Sequence, residues 1–136
     1  LWDKVFRIVQ RSRKDLAAEI RTRQGKLWAE AGDMKKAGEA YYDIVQRFPN
    51  DGPFVVDAVK EVEQMLIEVG NEKNILKMYD QVWSKLREPT GIADQPRHSN
   101  WYRVGKMYVE HLQNNGEDNK ARKVNEKLAE AAKRRG

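Results

Sequence analysis

The amino-acid sequence predicts an all-α fold, and two observations carry that prediction. Apolar residues recur every three or four positions in five successive stretches, which is the period of a helix that buries one face. No stretch shows the strict alternation of apolar and polar residues that is typical of a half-buried strand. Because an amphipathic helix must cover its apolar face, we expect these helices to pack on one another.

The five apolar stripes follow one another along the chain. They are Met34, Ala37, Tyr41, Ile44 and Phe48; Val55, Ala58, Val62, Met65 and Val69; Ile75, Tyr79, Val82 and Leu86; Trp101, Val104, Tyr108 and Leu112; and Ala121, Val124, Leu128 and Ala131. An earlier stripe from Trp2 to Val9 predicts an N-terminal helix. It is either a separate helix or part of one long helix over residues 2–31, because Leu16 and Ile20 stay nearly in phase with Val9.

Glycines and capping residues mark the ends of these helices. Gly32, Gly70 and Gly116 each follow one helical stretch and precede another, as glycines at the residue after a helix C-cap do. Each is followed by a residue that can cap the next helix: Asp33, Asn71 and Asp118. The sequence before Pro53 offers Asn50 or Asp51 as a further N-cap.

The composition excludes several classes of protein. A chain of 136 residues makes one domain or three to four small repeats. It contains no cysteine, and no run of about 18 apolar residues that could span a membrane. No phosphate-loop, metalloprotease or nucleophile-elbow motif occurs, and the two histidines are too isolated for a zinc site. We therefore expect no enzymatic activity, no cofactor and no metal.

Positive charge is concentrated at the two ends of the chain. The net charge is +5, yet residues 1–26 hold eight basic and three acidic side chains, and residues 119–136 hold seven and two. The stretch between them is net negative. This distribution predicts either solvated helix faces or binding of nucleic acid or an anionic surface through the basic ends.

A recurring unit of two helices gives the sequence a resemblance to a known family. In its clearest copy the small residue Gly25, the aromatic residue Trp28, the turn residue Gly32 and the end residue Pro49 stand at fixed spacing. Ala37 and Tyr41 occupy the two remaining positions of that pattern. This unit resembles the tetratricopeptide repeat (TPR). The resemblance implies that Tyr41 and Trp28 are both buried between helices.

The resemblance implies a right-handed α-solenoid of three TPR-like helix pairs with a possible N-terminal helix. We expect a single domain over residues 1–136, cut from a longer protein. Its predicted parts are a leading helix (1–15), repeat 1 (16–51), repeat 2 (52–89), a loop (90–98) and repeat 3 (99–132). Repeat 2 is degenerate, with Ile75 in place of the expected alanine, and repeat 3 has Asn125 in place of an aromatic residue.

For function, the resemblance implies a non-catalytic scaffold that binds a peptide or partner helix on a concave surface. The first helix of each pair would line that surface. The candidate ligand-binding residues on those helices are Arg23, Lys26, Lys60, Gln64, Arg103 and Lys106. Five of the six are cations, which favours an acidic peptide. A mixed-charge solvated face is the structural alternative.

Two further alternatives concern the role and location of the chain. It could be a spacer domain of a larger enzyme. The segment from Tyr41 to Asp51, with its Phe48-Pro49 turn, also resembles TPR units of bacterial envelope assembly proteins. The sequence therefore leaves the compartment open between the cytoplasm and the bacterial cell envelope.

Overall fold

A computed structural model describes residues 2–90 and 95–134 of the chain, and the described part is all-α as predicted. It contains seven α-helices, two short 3₁₀-helices (Glu72–Asn74 and Pro96–His98) and no strand among the described residues. The α-helices are α1 (Trp2–Val9), α2 (Lys14–Glu30), α3 (Met34–Arg47), α4 (Val55–Glu68), α5 (Ile75–Lys85), α6 (Asn100–Asn114) and α7 (Asp118–Arg134). Part of the predicted loop at 90–98 lies outside the described residues.

The helices form two compact units. Unit 1 spans Leu1–Glu72 and contains α1 to α4, and unit 2 spans Lys73–Gly136 and contains α5 to α7. In unit 1, α2 packs on α1 and α3, and α3 also packs on α4; in unit 2, α6 packs on both α5 and α7. The boundary falls between the two helices assigned to repeat 2, so the three-repeat division and the single domain stay predictions.

The N-terminal region is two helices, which decides between the two alternatives that the periodicity left open. α1 ends at Val9 and α2 begins at Lys14. Arg13 stands at the N-cap of α2 and makes no side-chain capping hydrogen bond. The start of α2 is therefore not fixed by a side-chain cap at Arg13.

The predicted glycine ends are confirmed. Gly32, Gly70 and Gly116 have φ angles of 83°, 74° and 75°, in the left-handed region that glycine adopts without a steric penalty. Each lies in a Schellman motif, in which two backbone N–H groups after the helix donate to carbonyls of its last turn. In the first, Gly32 N–H donates to Ala29 O at 3.0 Å and Asp33 N–H donates to Trp28 O at 2.9 Å.

The helix starts match the sequence less closely than the ends do. Asp33 caps α3 as predicted, because its carboxylate accepts a hydrogen bond from Lys36 N–H at 3.0 Å. Asp118 is the first residue of α7 instead of a residue before it. The helix after Pro53 begins at Val55 with Phe54 at its N-cap, so the expectation of an N-cap at residues 50–51 was wrong.

Close packing of α2 on α3 depends on a glycine. A Cβ atom built on Gly25 would lie 2.7 Å from the ring of Tyr41, which is closer than a real Cβ contact. The ring of Tyr41 that this glycine admits is buried, as predicted. Trp28 is not, since it keeps 37% of its surface exposed and its ring faces the ammonium group of Lys36 at 4.4 Å. The prediction that Trp28 fills the interior was wrong.

Candidate functional site

The six predicted ligand-binding residues are all solvent-exposed in the structure. Arg23 and Lys26 lie on α2, Lys60 and Gln64 on α4, and Arg103 and Lys106 on α6. The first four belong to unit 1 and the last two to unit 2. Each unit thus presents its own set of predicted residues on helices that bury their opposite faces.

Few acidic side chains engage these residues. Arg23 lies 3.7 Å from Glu19 one turn earlier, an exposed pair of the kind that contributes little stability. Lys106 lies over the Tyr102 ring, with its nitrogen 5.6 Å from the ring centroid. Within the described part of the chain, Lys26, Lys60, Arg103 and Lys106 make no ion pair. These four ammonium and guanidinium groups remain available to a ligand.

In unit 1 the predicted residues lie on α2 and α4, which both pack on α3. Tyr41 of α3 packs on Gly25 of α2, and two carboxylates of α4 act on its hydroxyl. Burial raises the pKa of Tyr41, and the negative charges of Glu61 and Asp57 raise it further. The exposed side of α4 therefore carries the cation Lys60 beside the acids Asp57 and Glu61, which makes it a mixed-charge surface.

In unit 2 Lys106 borders a shallow depression of about 540 Å³ between α6 and α7. Two more cations, Arg97 and Lys133, and the ring of Tyr102 line it as well. Glu126 and Glu130 stand on the α7 side of the same depression. An open depression of this kind fits a segment of peptide better than a small molecule, since ligand pockets for small molecules enclose most of their ligand.

The sequence did not indicate the contacts that hold α1 in unit 1. We call them the seat of α1, and they consist of Phe6 together with Arg21, Asp43, Arg47 and Phe48. The ring of Phe6 is buried, with the guanidinium carbon of Arg21 3.9 Å and that of Arg47 5.7 Å from its centroid. It also meets Phe48 edge-on, with the ring centroids 6.1 Å apart. Asp43 lies 2.8 Å from Arg21 and 3.3 Å from Arg47, so one carboxylate orients both cations on the ring.

Hydrogen bonds extend this seat along α1. Gln24 is a buried polar side chain in unit 1; its amide donates to Asp3 at 2.7 Å, and its carbonyl accepts from Arg21 at 2.9 Å. At the other end of α1, Arg47 donates to the side chain of Gln10 at 2.8 Å. The polar groups around Phe6 are thus satisfied by one another, which lets α1 dock without leaving a buried donor unpaired.

Unit 2 has its own polar contact that joins all three helices. Asp80 of α5 accepts a hydrogen bond from the hydroxyl of Tyr108 on α6 and pairs with Lys120 of α7 at 3.0 Å. Burial raises the pKa of Tyr108, and the hydrogen bond to Asp80 raises it further. The pKa of Lys120 is raised as well, mainly by Asp80. Asp80 thus stabilises the protonated form of both partners.

The described residues offer no group of three or more acidic, histidine or cysteine side chains that could hold a metal ion. The ring of His111 stacks on Tyr79, with the centroids 4.9 Å apart, so this imidazole takes part in the packing of unit 2. Among the described helices, none has the length and apolar character needed to cross a membrane. The chain shows no significant match to a protein-family model, a curated protein or a solved structure.

Proposed function

We propose that the chain is a non-catalytic protein-interaction module built from TPR-like helix pairs, and that it binds an acidic peptide or partner helix. The supporting observation is the state of the cations on α2, α4 and α6, which are exposed and mostly unpaired. A cation already held by a carboxylate would have to exchange one partner for another. Within the described chain, no acidic side chain is paired with any of four of these cations: Lys26, Lys60, Arg103 and Lys106.

The strength of such binding must come from several contacts together. A single exposed ion pair is worth about 1 kcal/mol or less, and salt weakens it. An acidic segment that runs along one helix face meets more than one cation of the same unit, for example Arg23 and Lys26 on α2. Charge-assisted hydrogen bonds to carboxylates then add to the Coulomb attraction.

In unit 2 the proposal extends to how the ligand is oriented. The depression beside Lys106 combines three cations with the ring of Tyr102, and it has Glu126 and Glu130 on its other side. Acidic ligand groups would lie toward Arg97 and Lys106. A basic or neutral ligand group would face Glu126 and Glu130, since like charges placed together cost binding energy.

Charge reversal with a matched control tests this proposal. Lys60→Glu and Arg103→Glu, singly and together, should weaken binding of a fluorescent Glu-rich peptide at least tenfold in the double variant. The double variant Lys35→Glu/Lys77→Glu makes the same change in net charge on α3 and α5, at other exposed positions. It should bind the peptide as the unmodified chain does. Circular dichroism should report unchanged helix content in all variants.

Three outcomes would contradict the proposal. If both double variants weakened peptide binding equally, the overall charge of the chain would explain the effect, and not the positions of Lys60 and Arg103. Equal binding of a Gln-rich peptide would show that acidic groups are not what is recognised. Tighter binding of single-stranded nucleic acid, with a steep loss of affinity as salt rises, would favour the nucleic-acid alternative.

A further inference from the structure

The break between α1 and α2 lies at Arg13, whose φ of −132° and ψ of 73° are outside the helical region, but no residue type at the junction requires a break. Residues 2–24 contain neither glycine nor proline, and the N-cap of α2 lacks a side-chain hydrogen bond. One backbone bond of a continuous helix is already present across the break, from Arg13 N–H to Val9 O at 2.8 Å. Because the apolar stripe of α1 is also nearly in phase with that of α2, one straight helix is compatible with this stretch of sequence.

The contacts of the seat are therefore what keeps α1 packed against α2 and α3. Phe6 lies in an apolar cluster with Ala17, Ala18, Ile20 and Phe48, and Arg21 and Arg47 cover its ring. If α1 left this seat, an apolar surface and the buried polar group of Gln24 would be exposed to water. These contacts must therefore be filled by a helix with the side chains of α1, which can come from the same chain or from a second copy.

We propose that α1 is exchanged between two copies of this chain. The α1–α2 junction straightens into one helix, and α1 of each copy occupies the seat on α2 and α3 of the other. Every contact of the seat is kept, because the partner supplies the same Phe6, Asp3 and Gln10. The resulting dimer is symmetric and adds helical hydrogen bonds at the junction. Its population rises with protein concentration.

This inference is independent of the proposed peptide binding, because it rests on the seat of α1. Arg23, a candidate ligand-binding residue on α2, serves in its test only as a position for a cross-link. The test uses the absence of cysteine from the chain. Trp2 lies near Arg23 across the α1–α2 contact, with the guanidinium carbon 5.9 Å from the ring centroid. The variants Trp2→Cys and Arg23→Cys are made in separate copies of the chain, one of them tagged, and mixed. A short bis-maleimide can then join the two chains at this contact only if α1 has changed chains.

We expect the mixed product to form after joint refolding at high concentration and to increase with concentration. Ser12→Pro, at the junction, should lower the association constant measured by sedimentation by more than about a thousandfold, since proline is strongly unfavourable inside a helix and the dimer contains two such junctions. Ser12→Ala is the matched control and should preserve or raise the association constant. Ser12→Gly should lower it by a few fold, and it serves as the weaker helix breaker if proline disturbs the fold.

The proposal is overturned if no mixed product forms at any concentration after joint refolding. It is also overturned if Ser12→Pro and Ser12→Gly dimerise as well as Ser12→Ala, because a straight junction would then not be involved. A dimer that forms without the cross-link at positions 2 and 23 would show a different interface. The Lys60 and Arg103 variants, which test peptide binding, should form the mixed product to the same extent as the unmodified chain. The two proposals can therefore fail independently.

Discussion

Units 1 and 2 both use aromatic rings to hold helices together, but they surround those rings differently. In unit 1 the ring of Phe6 lies beneath two guanidinium groups that Asp43 orients. In unit 2 the rings contact one another in a continuous series. In order, the series is Trp101, Trp83, Tyr108, Tyr79 and His111, with neighbouring centroids 4.9–6.1 Å apart.

This difference indicates how each unit should respond to change. The series in unit 2 is largely buried and involves both α5 and α6, so removal of one ring creates a cavity that its neighbours cannot fill easily. The seat in unit 1 holds the short helix α1 through the single buried ring of Phe6 and through charged side chains that are partly exposed. We therefore expect cooperative loss of structure in unit 2 and local loss of α1 in unit 1.

The largest expected effect is that of Tyr79→Ala in the middle of the ring series. Tyr79 is fully buried between Tyr108 and His111, so its loss should lower the free energy of unfolding by about 3–5 kcal/mol. Urea unfolding followed by circular dichroism measures this. Tyr102→Ala, at a half-buried ring outside the series, is the control and should cost far less. A loss below about 1 kcal/mol for Tyr79→Ala would show that the series is not a structural core.

The second effect is that of Phe6→Ala on the seat of α1. The loss cannot exceed the free energy that holds α1 in place, so we expect about 1–3 kcal/mol. Hydrogen exchange should show that the amides of α1 lose protection while those of α3 and α4 keep theirs. Ile8→Ala is a suitable control on the same helix, because Ile8 is 69% exposed. Loss of protection throughout unit 1 would mean that α1 is part of the cooperative core.

The third effect separates two of the buried tyrosine hydroxyls, those of Tyr108 and Tyr41. Tyr108 donates to Asp80, so Tyr108→Phe should cost about 1–2 kcal/mol at neutral pH. Tyr41 has no side-chain hydrogen bond in the described part of the chain, so Tyr41→Phe should cost less than Tyr108→Phe. Urea unfolding of both variants at pH 7 gives the comparison, and equal costs would contradict it.

The same tyrosines predict a loss of stability at alkaline pH. The folded-state pKa of Tyr108 lies above its usual value near 10, so folding favours the protonated phenol. The resulting stability is complete below about pH 10 and is lost as the pH rises through the folded-state pKa. Tyr41 shifts in the same direction. Each Phe variant should therefore show a flatter decline above pH 10 than the unmodified chain, and an unchanged decline would contradict this assignment.

The sequence was sufficient for features that depend on local spacing. Apolar periodicity located the helices, and the glycines after α2, α4 and α6 marked their ends, because a left-handed residue at that position strongly favours glycine. The resemblance to the repeat pattern also implied the burial of Tyr41, which packs on Gly25. Trp28 fitted the same pattern and is nevertheless half-exposed. Its neighbour Lys36 covers one ring face, so a partly solvated ring still has a favourable contact.

The sequence was not sufficient for the polar contacts between distant residues. Arg21 and Asp43 are 22 positions apart, and Asp80 and Tyr108 are 28 apart, so no helical spacing rule connects them. Such pairs depend on which helices become neighbours and at what register. The candidate ligand-binding residues were easier to place because exposure follows from helical phase alone. Whether they bind a ligand depends on chemistry that exposure does not determine.

The smallest expected effect concerns those candidate residues, and it separates a binding surface from a stabilising one in both units. Lys60→Ala in unit 1 and Lys106→Ala in unit 2 should each change the free energy of unfolding by less than about 0.5 kcal/mol. Both side chains are exposed and make no ion pair in the described chain, and the contact of Lys106 with Tyr102 is a long one at 5.6 Å. Alanine also favours the helix, which offsets any lost contact. Urea unfolding of the two variants beside Tyr79→Ala and Phe6→Ala places all four on one scale. A cost above 1 kcal/mol at either lysine would mean that its charge serves the fold, and the acidic-peptide proposal would lose that residue.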